Sequence, residues 1–387
     1  MHIVADENIP LLDGFFASLG RITTLPGRQI TRADLRNADA LLVRSVTRVG
    51  AELLQGTPVR FVGTCTIGTD HLDLPWLAAA GIHVSSAPGC NARGVVEYVL
   101  SCLLTLAERT GLKWQSRTVG IVGVGQVGSR LATTLRGLGI RTLLCDPLRA
   151  ERGEAGFVTL NTLLAEADVV SCHVPLTREG AHATWHLFDQ PRLERLRQSA
   201  WLINSSRGPV IEAQALQRVL AERKDLQVAL DVWEQEPLVS QHLAASCALA
   251  TPHIAGYSLD GKLRGTEQIY QALCAFLGSP VQHQLEPLAP SCGVARLEVD
   301  GQTPVDHILE RALRYVYDVR DDDARMRSML LNASHAENAG DACRLGFDQL
   351  RKSYPLRREN PLLTLTLPRE MPEASRALLD AAGFTLA

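Results

Sequence analysis

The sequence predicts an α/β protein, with two doubly wound parallel-sheet domains followed by a small C-terminal α+β domain. Three observations carry this. Short apolar runs alternate with helical patterns over the first 90 residues and again from residue 118 onward, as parallel strands covered by helices do. A glycine-rich turn, TVGIVGVGQVG at 118–128, joins a strand to a helix at the start of the second region. After the two prolines of Glu286–Pro290 the alternation stops and longer helical segments dominate.

The length of 387 residues fits this division, at ~150 residues per domain. Hydrophobic residues at 46% and charged residues at 21% belong to an ordinary globular chain. With 39 Lys+Arg against 42 Asp+Glu the net charge is -3. No basic excess is present for a phosphate backbone, so nucleic acid is not expected as a partner. The nine cysteines are scattered, and no two lie within four residues of each other. That spacing excludes zinc-ribbon and CxxC motifs and supplies no disulfide framework; buried thiols in a reducing compartment are expected, and no metal. Acidic residues at positions 6 and 7 interrupt any signal-peptide pattern. The longest uncharged apolar stretch within a helical pattern is Tyr98 to Ala107, ten residues, where a membrane span needs ~20. The expectation is a cytoplasmic protein with no membrane partner.

Taken in order, His2–Ala5, Ala40–Val43, Val59–Gly63 and Ile82–Val84 read as strands, with helices at Pro10–Leu19 and Leu74–Ala80. Asn91 to Glu108 forms one long helical pattern, with Val95, Val96, Val99, Leu103 and Leu106 at helical spacing. Thr118–Val122, Arg141–Cys145, Val169–Ser171, Ala200–Ile203 and Val228–Leu230 are the second set of strands. Val127–Leu138, Leu160–Ala165 and Glu212–Leu220 are the helices between them. Asp260–Leu277 is a long helix beyond the last of these strands, placed to pack back on the first region. Beyond the linker, Val294–Val299 and Leu363–Leu367 read as strands, and Val305–Val316 and Asp341–Lys352 as helices.

The glycine turn has the context that makes GxGxxG informative. It follows a strand and opens a helix, and the next strand ends in Asp146, 18 residues after Gly128. Gly123 permits the tight turn, Gly125 lets the backbone approach a pyrophosphate, and Gly128 allows helix to pack closely on strand. The helix N-terminus at Gln126 and Val127 offers free N–H groups to phosphate. Asp146 is suited to accept hydrogen bonds from ribose hydroxyls and to repel a 2′-phosphate, which favours NAD over NADP; Arg149 close by pulls the other way.

Three more segments each follow a strand: Ile203–Gly208 (INSSRG), Asp231–Pro237 (DVWEQEP) and Thr251–Gly256 (TPHIAG). Ligands in open α/β sheets sit beyond the carboxyl ends of strands, so these segments converge there with an arginine, an acid and a histidine. An imidazole can give and take a proton at neutral pH. A carboxylate can orient that imidazole, and an arginine can fork onto a substrate carboxylate. His173, after another strand, is read as lining the crevice without a catalytic role.

In the order and spacing of the glycine turn, the RGP segment, DVWEQEP and TPHIAG, the chain resembles the D-isomer-specific 2-hydroxyacid dehydrogenases over roughly residues 1–280. The resemblance implies a Rossmann cofactor domain inserted in a flavodoxin-like substrate domain. It implies NAD as cofactor, with Arg207 orienting the substrate, Glu236 as the carboxylate partner and His253 as the acid/base. It places Asp231 near the nicotinamide and Gly256 among the cofactor contacts. The domains expected are 1–92 for the first part of the substrate-binding domain, 93–256 for NAD binding, 257–285 for the return helix and 286–387 for a C-terminal domain.

Ahead of the glycine turn lie the hydroxyl-rich turns VRSVT and GTCTIGTDHLD, and AGYS follows the histidine segment. Such turns can form an anion-binding nest. Together with the C-terminal module, which short family members lack, they resemble one member in particular. That likeness implies Ser45, Thr66 and Tyr257 as substrate contacts, a small phosphorylated 2-hydroxy acid as substrate, and a homodimer formed through the C-terminal domain. Leu363, Leu365 and Leu367 on one strand face, and Leu309, Ala312, Leu313 and Val316 on one helix face, are the surfaces expected to join two copies. A family member acting on another 2-hydroxy acid, or a non-catalytic NAD(H)-sensing corepressor on the same fold, remains an alternative.

Overall fold

The computed structural model describes residues 1–387. The chain divides into two compact units, Met1–Ala92 with Tyr257–Gly293, and Arg93–Gly256 with Val294–Ala387.

The first unit is built on five parallel strands: β1 (His2–Asp6), β2 (Arg21–Leu25), β3 (Ala40–Val43), β4 (Phe61–Thr64) and β5 (His83–Ser85). Their order is β2-β1-β3-β4-β5. Alternate residues feed two cores. Ile3, Ala5, Ala40, Leu42 and Phe61 pack on one face with Phe15, Phe16, Ile269, Tyr270 and Leu273. Val4, Leu41, Val43 and Val62 pack on the other with Leu35, Leu54 and Leu77. A sheet covered on both faces reads as continuous apolar runs, which is why these strands were legible. The helix Leu259–Leu277 returns to this unit, as its position beyond the second sheet implied. The edge strand β2 was not foreseen. Its RITTL is polar and half-exposed, so it carries no apolar run.

The second unit holds six parallel strands: β6 (Val119–Val122), β7 (Thr142–Cys145), β8 (Val169–Cys172), β9 (Trp201–Asn204), β10 (Gln227–Leu230) and β11 (Leu249–Ala250). They are ordered β11-β10-β9-β8-β6-β7. The order reverses at β6, so the turn after it lies at a topological switch point, where open α/β sheets bind ligands.

Residues 294–387 add a small three-stranded parallel sheet, β12 (Arg296–Glu298), β13 (Thr364–Thr366) and β14 (Thr385–Leu386), in the order β12-β13-β14. Four helices accompany it: Val305–Val316, Val319–Ser334, Ala339–Lys352 and Glu373–Ala381. This module does not stand apart from the second sheet. Met326, Leu330, Ala333, Cys343 and Phe347 belong to the same apolar core as Leu216, Leu230 and Leu243. The helix Val319–Ser334 was not read from the sequence, because its VRDDDARMRS opening looks like a solvated charge run. Asp322 and Asp323 are in fact buried. The apolar faces expected to meet a second copy are largely used within the chain: Leu309, Ala312, Leu313, Leu363, Leu365 and Leu367 are all buried here. They found partners in the same chain, so they are not free to join another.

Candidate active site

The glycine turn is shaped by close packing. Gly123 has φ +88°, and a Cβ there would lie 2.7 Å from the His173 carbonyl oxygen. A Cβ on Gly128 would stand 2.1 Å from the Gly123 oxygen, which no side chain tolerates. Around Gly125, by contrast, a Cβ would meet nothing within 4 Å, so the approach to the turn is open. The helix Gln126–Gly137 starts there with no side-chain cap. Its first N–H groups, at Gln126 and Val127, have no intrahelical acceptor. An anionic pyrophosphate fits both the donors and the positive end of the helix dipole.

Asp146 directly follows β7 and is half-buried. Its Oδ2 accepts from the Val124 N–H at 2.9 Å, and its Oδ1 accepts from the Arg149 N–H at 3.2 Å. The carboxylate is therefore fixed beside the turn, with lone pairs left for a ribose. Arg149 is held by Glu154, which accepts from its Nε at 2.8 Å, and donates from Nη1 to the Val124 carbonyl at 2.9 Å. The hydrogen bond with Glu154 raises the Arg149 pKa further. The guanidinium close to the turn is thus already paired with an acid of its own chain.

Three strand ends carry the arginine, the acid and the histidine expected to do acid–base chemistry. At the end of β9, the buried carboxamide of Asn204 accepts from the Ser206 N–H and hydroxyl, at 3.1 and 2.8 Å, and donates to the Arg207 carbonyl at 3.0 Å. It shapes the turn that presents Arg207. Gly208 then meets the segment after β10 backbone to backbone. A Cβ on Gly208 would lie 2.0 Å from the Trp233 carbonyl, so glycine is required for the contact.

After β10, Glu236 accepts from the Trp233 N–H with Oε1 at 2.7 Å, and its Oε2 lies 2.7 Å from His253 Nδ1. Desolvation pushes the Glu236 carboxyl up, but the charge of His253 and these hydrogen bonds outweigh it, leaving it below the ordinary range. With Nδ1 hydrogen-bonded to the carboxylate, Nε2 is the ring nitrogen left for a substrate.

His253 follows β11 and has φ 57°, a left-handed conformation that costs a non-glycine residue energy. Asp231 holds it there. Its Oδ1 accepts from the Thr251 hydroxyl at 2.6 Å and the Ile254 N–H at 2.9 Å, and its Oδ2 accepts from the Ala255 N–H at 2.9 Å. The His253 N–H donates to the Asp231 carbonyl at 2.7 Å. Asp231 is buried, and its carboxylate braces the histidine turn through to Ala255, next to Gly256. Tyr98, from the long helix Ala92–Thr110, adds a bond to the Thr251 hydroxyl at 2.9 Å, and the Trp233 indole donates to the Thr251 carbonyl at 3.0 Å. Neither Asn204 nor Tyr98 carried a signal in the sequence. Tyr98 acts through a partner 153 residues away, and Asn204 through bonds within its own turn. His173 bonds to the Ser171 hydroxyl at 2.8 Å, and desolvation lowers its pKa to about 4. It is neutral at pH 7 and poorly suited to proton exchange.

In the first unit, Ser45 is exposed in the turn after β3. The Thr66 hydroxyl, after β4, shares a bond of 2.7 Å with that of Thr64 and donates to the Gly68 carbonyl at 3.2 Å. Tyr257 lies just beyond Gly256, with the Lys262 ammonium 4.7 Å from its ring centroid, a cation that sequence reasoning did not single out.

Residues 104–255 match the family described as D-isomer specific 2-hydroxyacid dehydrogenase, NAD binding domain, and residues 288–383 match a domain of unknown function, DUF3410. Among solved structures, D-lactate dehydrogenase from Aquifex aeolicus, complexed with NAD and lactic acid, aligns with a TM-score of 0.59 at 24% identity over 72% of this chain and 96% of that one. The 3-phosphoglycerate dehydrogenase of Entamoeba histolytica aligns with a TM-score of 0.62 at 24% identity, over 73% and 98%. At that identity the likeness is one of fold. The family match over residues 104–255 and the full-length relatives that follow make the chain an NAD-dependent oxidoreductase of the D-2-hydroxyacid dehydrogenase class. The chain is 55% identical over 387 residues to erythronate-4-phosphate dehydrogenase of Pseudomonas entomophila, covering 100% of this chain and 99% of that protein. It is 56% identical over 370 residues to the enzyme of the same name from Pseudomonas savastanoi, covering 96% of each. The chain belongs to the erythronate-4-phosphate dehydrogenase family.

No group of three or more His, Cys, Asp or Glu side chains is arranged to hold a metal ion, and no helix is long and apolar enough to cross a membrane.

Proposed function

We propose that this chain oxidises 4-phospho-D-erythronate to 3-hydroxy-2-oxo-4-phosphobutanoate, with NAD as oxidant, as a cytoplasmic step in making pyridoxal 5′-phosphate. The observation that carries the reading is the 2.7 Å pairing of His253 Nδ1 with Glu236. A binding module has no need of a carboxylate-backed imidazole, whereas an alcohol dehydrogenation does.

NAD, when bound at the glycine turn, supplies the acceptor for the hydride that leaves C2. Every other task falls to side chains. Arg207 forks onto the substrate carboxylate and polarises the C2 oxygen. His253 Nε2 takes the hydroxyl proton, and Glu236 stabilises the imidazolium so formed. Asp146 accepts from the ribose and disfavours a 2′-phosphate. Gly123, Gly125, Gln126, Val127 and Gly128 form the pyrophosphate cradle, with Gly256 a further cofactor contact. Asp231, assigned to the nicotinamide side, also acts through the turn it braces. Ser45, Thr66 and Tyr257 contact the substrate, their hydroxyls suiting a phosphorylated polyol acid.

The protein works as a homodimer in this proposal, joined through the C-terminal module. Since the faces first considered are buried within the chain, the exposed Val294, Tyr315, Leu331, Leu345, Leu356 and Leu362 are the large apolar side chains left for the partner. NADH formation by the purified chain, screened over phosphorylated and unphosphorylated 2-hydroxy acids, tests the activity. Turnover confined to 4-phospho-D-erythronate is expected. Tight NADH binding with no turnover of any acid would show a sensor instead. Sedimentation at several concentrations tests the dimer.

A further inference from the structure

The C-terminal module carries no motif of its own, yet it reaches the histidine turn. Arg357, in the loop between the helix Ala339–Lys352 and β13, is 5% exposed. Its Nη1 donates to the Ala255 carbonyl at 3.0 Å, and its Nη2 to the Gly94 carbonyl at 2.6 Å. These acceptors lie next to the two places where the chain leaves the second unit, at Arg93 and Gly256. The guanidinium is held from behind. Glu97, 3.4 Å from Nη2, is its buried counter-ion, and the Tyr317 ring lies 3.7 Å from the guanidinium carbon. The other oxygen of Glu97 accepts from the Asn360 N–H at 2.8 Å, which fastens the Arg357 loop to the same helix.

The module touches the other end of the same segment too. Asp323, buried on the helix Val319–Ser334, accepts from the Ala250 N–H in β11 at 2.8 Å. Arg327 pairs with Asp323 at 2.9 Å and donates to the Cys247 carbonyl at 2.9 Å. Residues 250 and 255 are thus both fixed by the C-terminal module, with the left-handed His253 between them. The Asp231 carboxylate, an acceptor only, satisfies N–H groups of this turn, and Arg357 donates to a carbonyl that a carboxylate cannot serve. A buried cation is expensive, and an apolar side chain would pack at lower cost. What an apolar side chain would lose is the fork that spans two carbonyls in fixed geometry.

We propose that Arg357 is a positioning residue for the acid–base histidine: by holding the Ala255 carbonyl against Gly94 and Glu97, it keeps the His253 turn in register with Glu236. The inference rests on the reading of His253 as acid/base given above.

Three full-length variants test it together: Arg357→Met, Arg357→Lys and His253→Ala, each measured for kcat, KM, the pH profile of kcat, NADH affinity and thermal melting. Misplacing a reacting group by about 1 Å costs ~10²-fold in rate, so Arg357→Met is expected to lower kcat by roughly 10- to 100-fold. NADH affinity should stay within about twofold, and the pH profile of kcat should move as the imidazole leaves Glu236. Arg357→Lys keeps the charge beside Glu97 but cannot bond both carbonyls as a fork. It should fold, and should show the same changes in smaller measure. Should the Met variant fail to fold, the Lys variant decides. A folded Lys variant with wild-type kcat and pH profile overturns the proposal. A Lys variant that does not fold also overturns it, since the guanidinium then serves folding alone. If His253→Ala keeps its activity, the acid–base reading fails instead, whatever the Arg357 variants do.

Discussion

The two large parallel sheets present their strand ends to solvent in different ways. In the five-stranded sheet the turns after β3 and β4 are tied to other segments, the Thr47 hydroxyl donating to the Gly27 carbonyl at 2.8 Å and the Val49 N–H to the His71 carbonyl at 2.9 Å, but the hydroxyls proposed to contact substrate are held only locally or not at all. Thr66 bonds to Thr64 and to Gly68, and Ser45 is exposed. In the six-stranded sheet the turns after β9, β10 and β11 brace one another. Gly208 packs against the Trp233 carbonyl, Trp233 donates to Thr251, and Glu236 pairs with His253. The difference follows from the tasks proposed for the two sets of residues. A proton transfer needs its partners held to fractions of an ångström. A hydroxyl that contacts an anion can adjust by rotating about one bond.

The largest expected effect breaks the braced side. His253→Ala should lower kcat by ~10²–10⁴ while NAD binding is kept, as read by steady-state kinetics beside NADH titration. Near-wild-type turnover would remove His253 from the mechanism.

The second sharpens a contrast between two histidines at strand ends. His173 has its pKa lowered to about 4 by desolvation, so the unfolded chain takes up this proton at a higher pH than the folded chain does. Stability should therefore fall as pH drops from the ordinary imidazole value of ~6.5 toward about 4, by up to about 3 kcal/mol from this group. His173→Gln should flatten that part of the curve in urea melts across pH. An unchanged slope would show that His173 is solvated.

Glu236→Gln comes next. It leaves a neutral acceptor for Nδ1, so kcat should drop about 10- to 100-fold, less than on losing the imidazole itself. A loss as large as that of His253→Ala would give Glu236 more than an orienting role.

Asp146→Ala should narrow the preference for NAD over NADP by about tenfold. With the carboxylate gone, Arg149 still has Glu154 as its partner, so a complete switch to NADP is not expected. An unchanged ratio of kcat/KM for the two cofactors would mean that another group reads the ribose.

The smallest effect tests the locally braced side. Ser45→Ala removes one hydrogen bond from an exposed hydroxyl, where water can take its place, so the loss is about 1 kcal/mol and should raise the substrate KM about fivefold with kcat kept. An unchanged KM would take Ser45 out of the substrate site.

The parts of the fold that were legible share one property: the signal lies within a few consecutive residues. Strands such as Ala40–Val43 and Val119–Val122 are apolar runs because both faces of their sheets are covered. The glycine turn, DVWEQEP and TPHIAG could be read because their chemistry sits in one short loop. What was missed depends on partners far away in the chain. The edge strand β2 is polar, and β11 has only two residues. The helix Val319–Ser334 hides buried acids inside a charged sequence: Asp322 accepts from the Tyr354 hydroxyl at 2.8 Å, and Asp323 from the Ala250 N–H at 2.8 Å.

By itself, then, the sequence determined the two alternating sheets, the dinucleotide turn and the identities of the arginine, acid and histidine. Periodicity and local turn chemistry are properties of neighbours in the chain, and they need no tertiary contact to be read. Only the tertiary structure decided that Glu236 meets His253 Nδ1, that Asp231 and Arg357 share the work of holding the histidine turn, and that the apolar faces of the C-terminal module are spent within the chain. In RKSYPLRREN nothing distinguishes Arg357 from the arginine beside it. A buried cation is recognised by the carbonyls and the counter-ion that surround it, and those come from residues 94, 97 and 255.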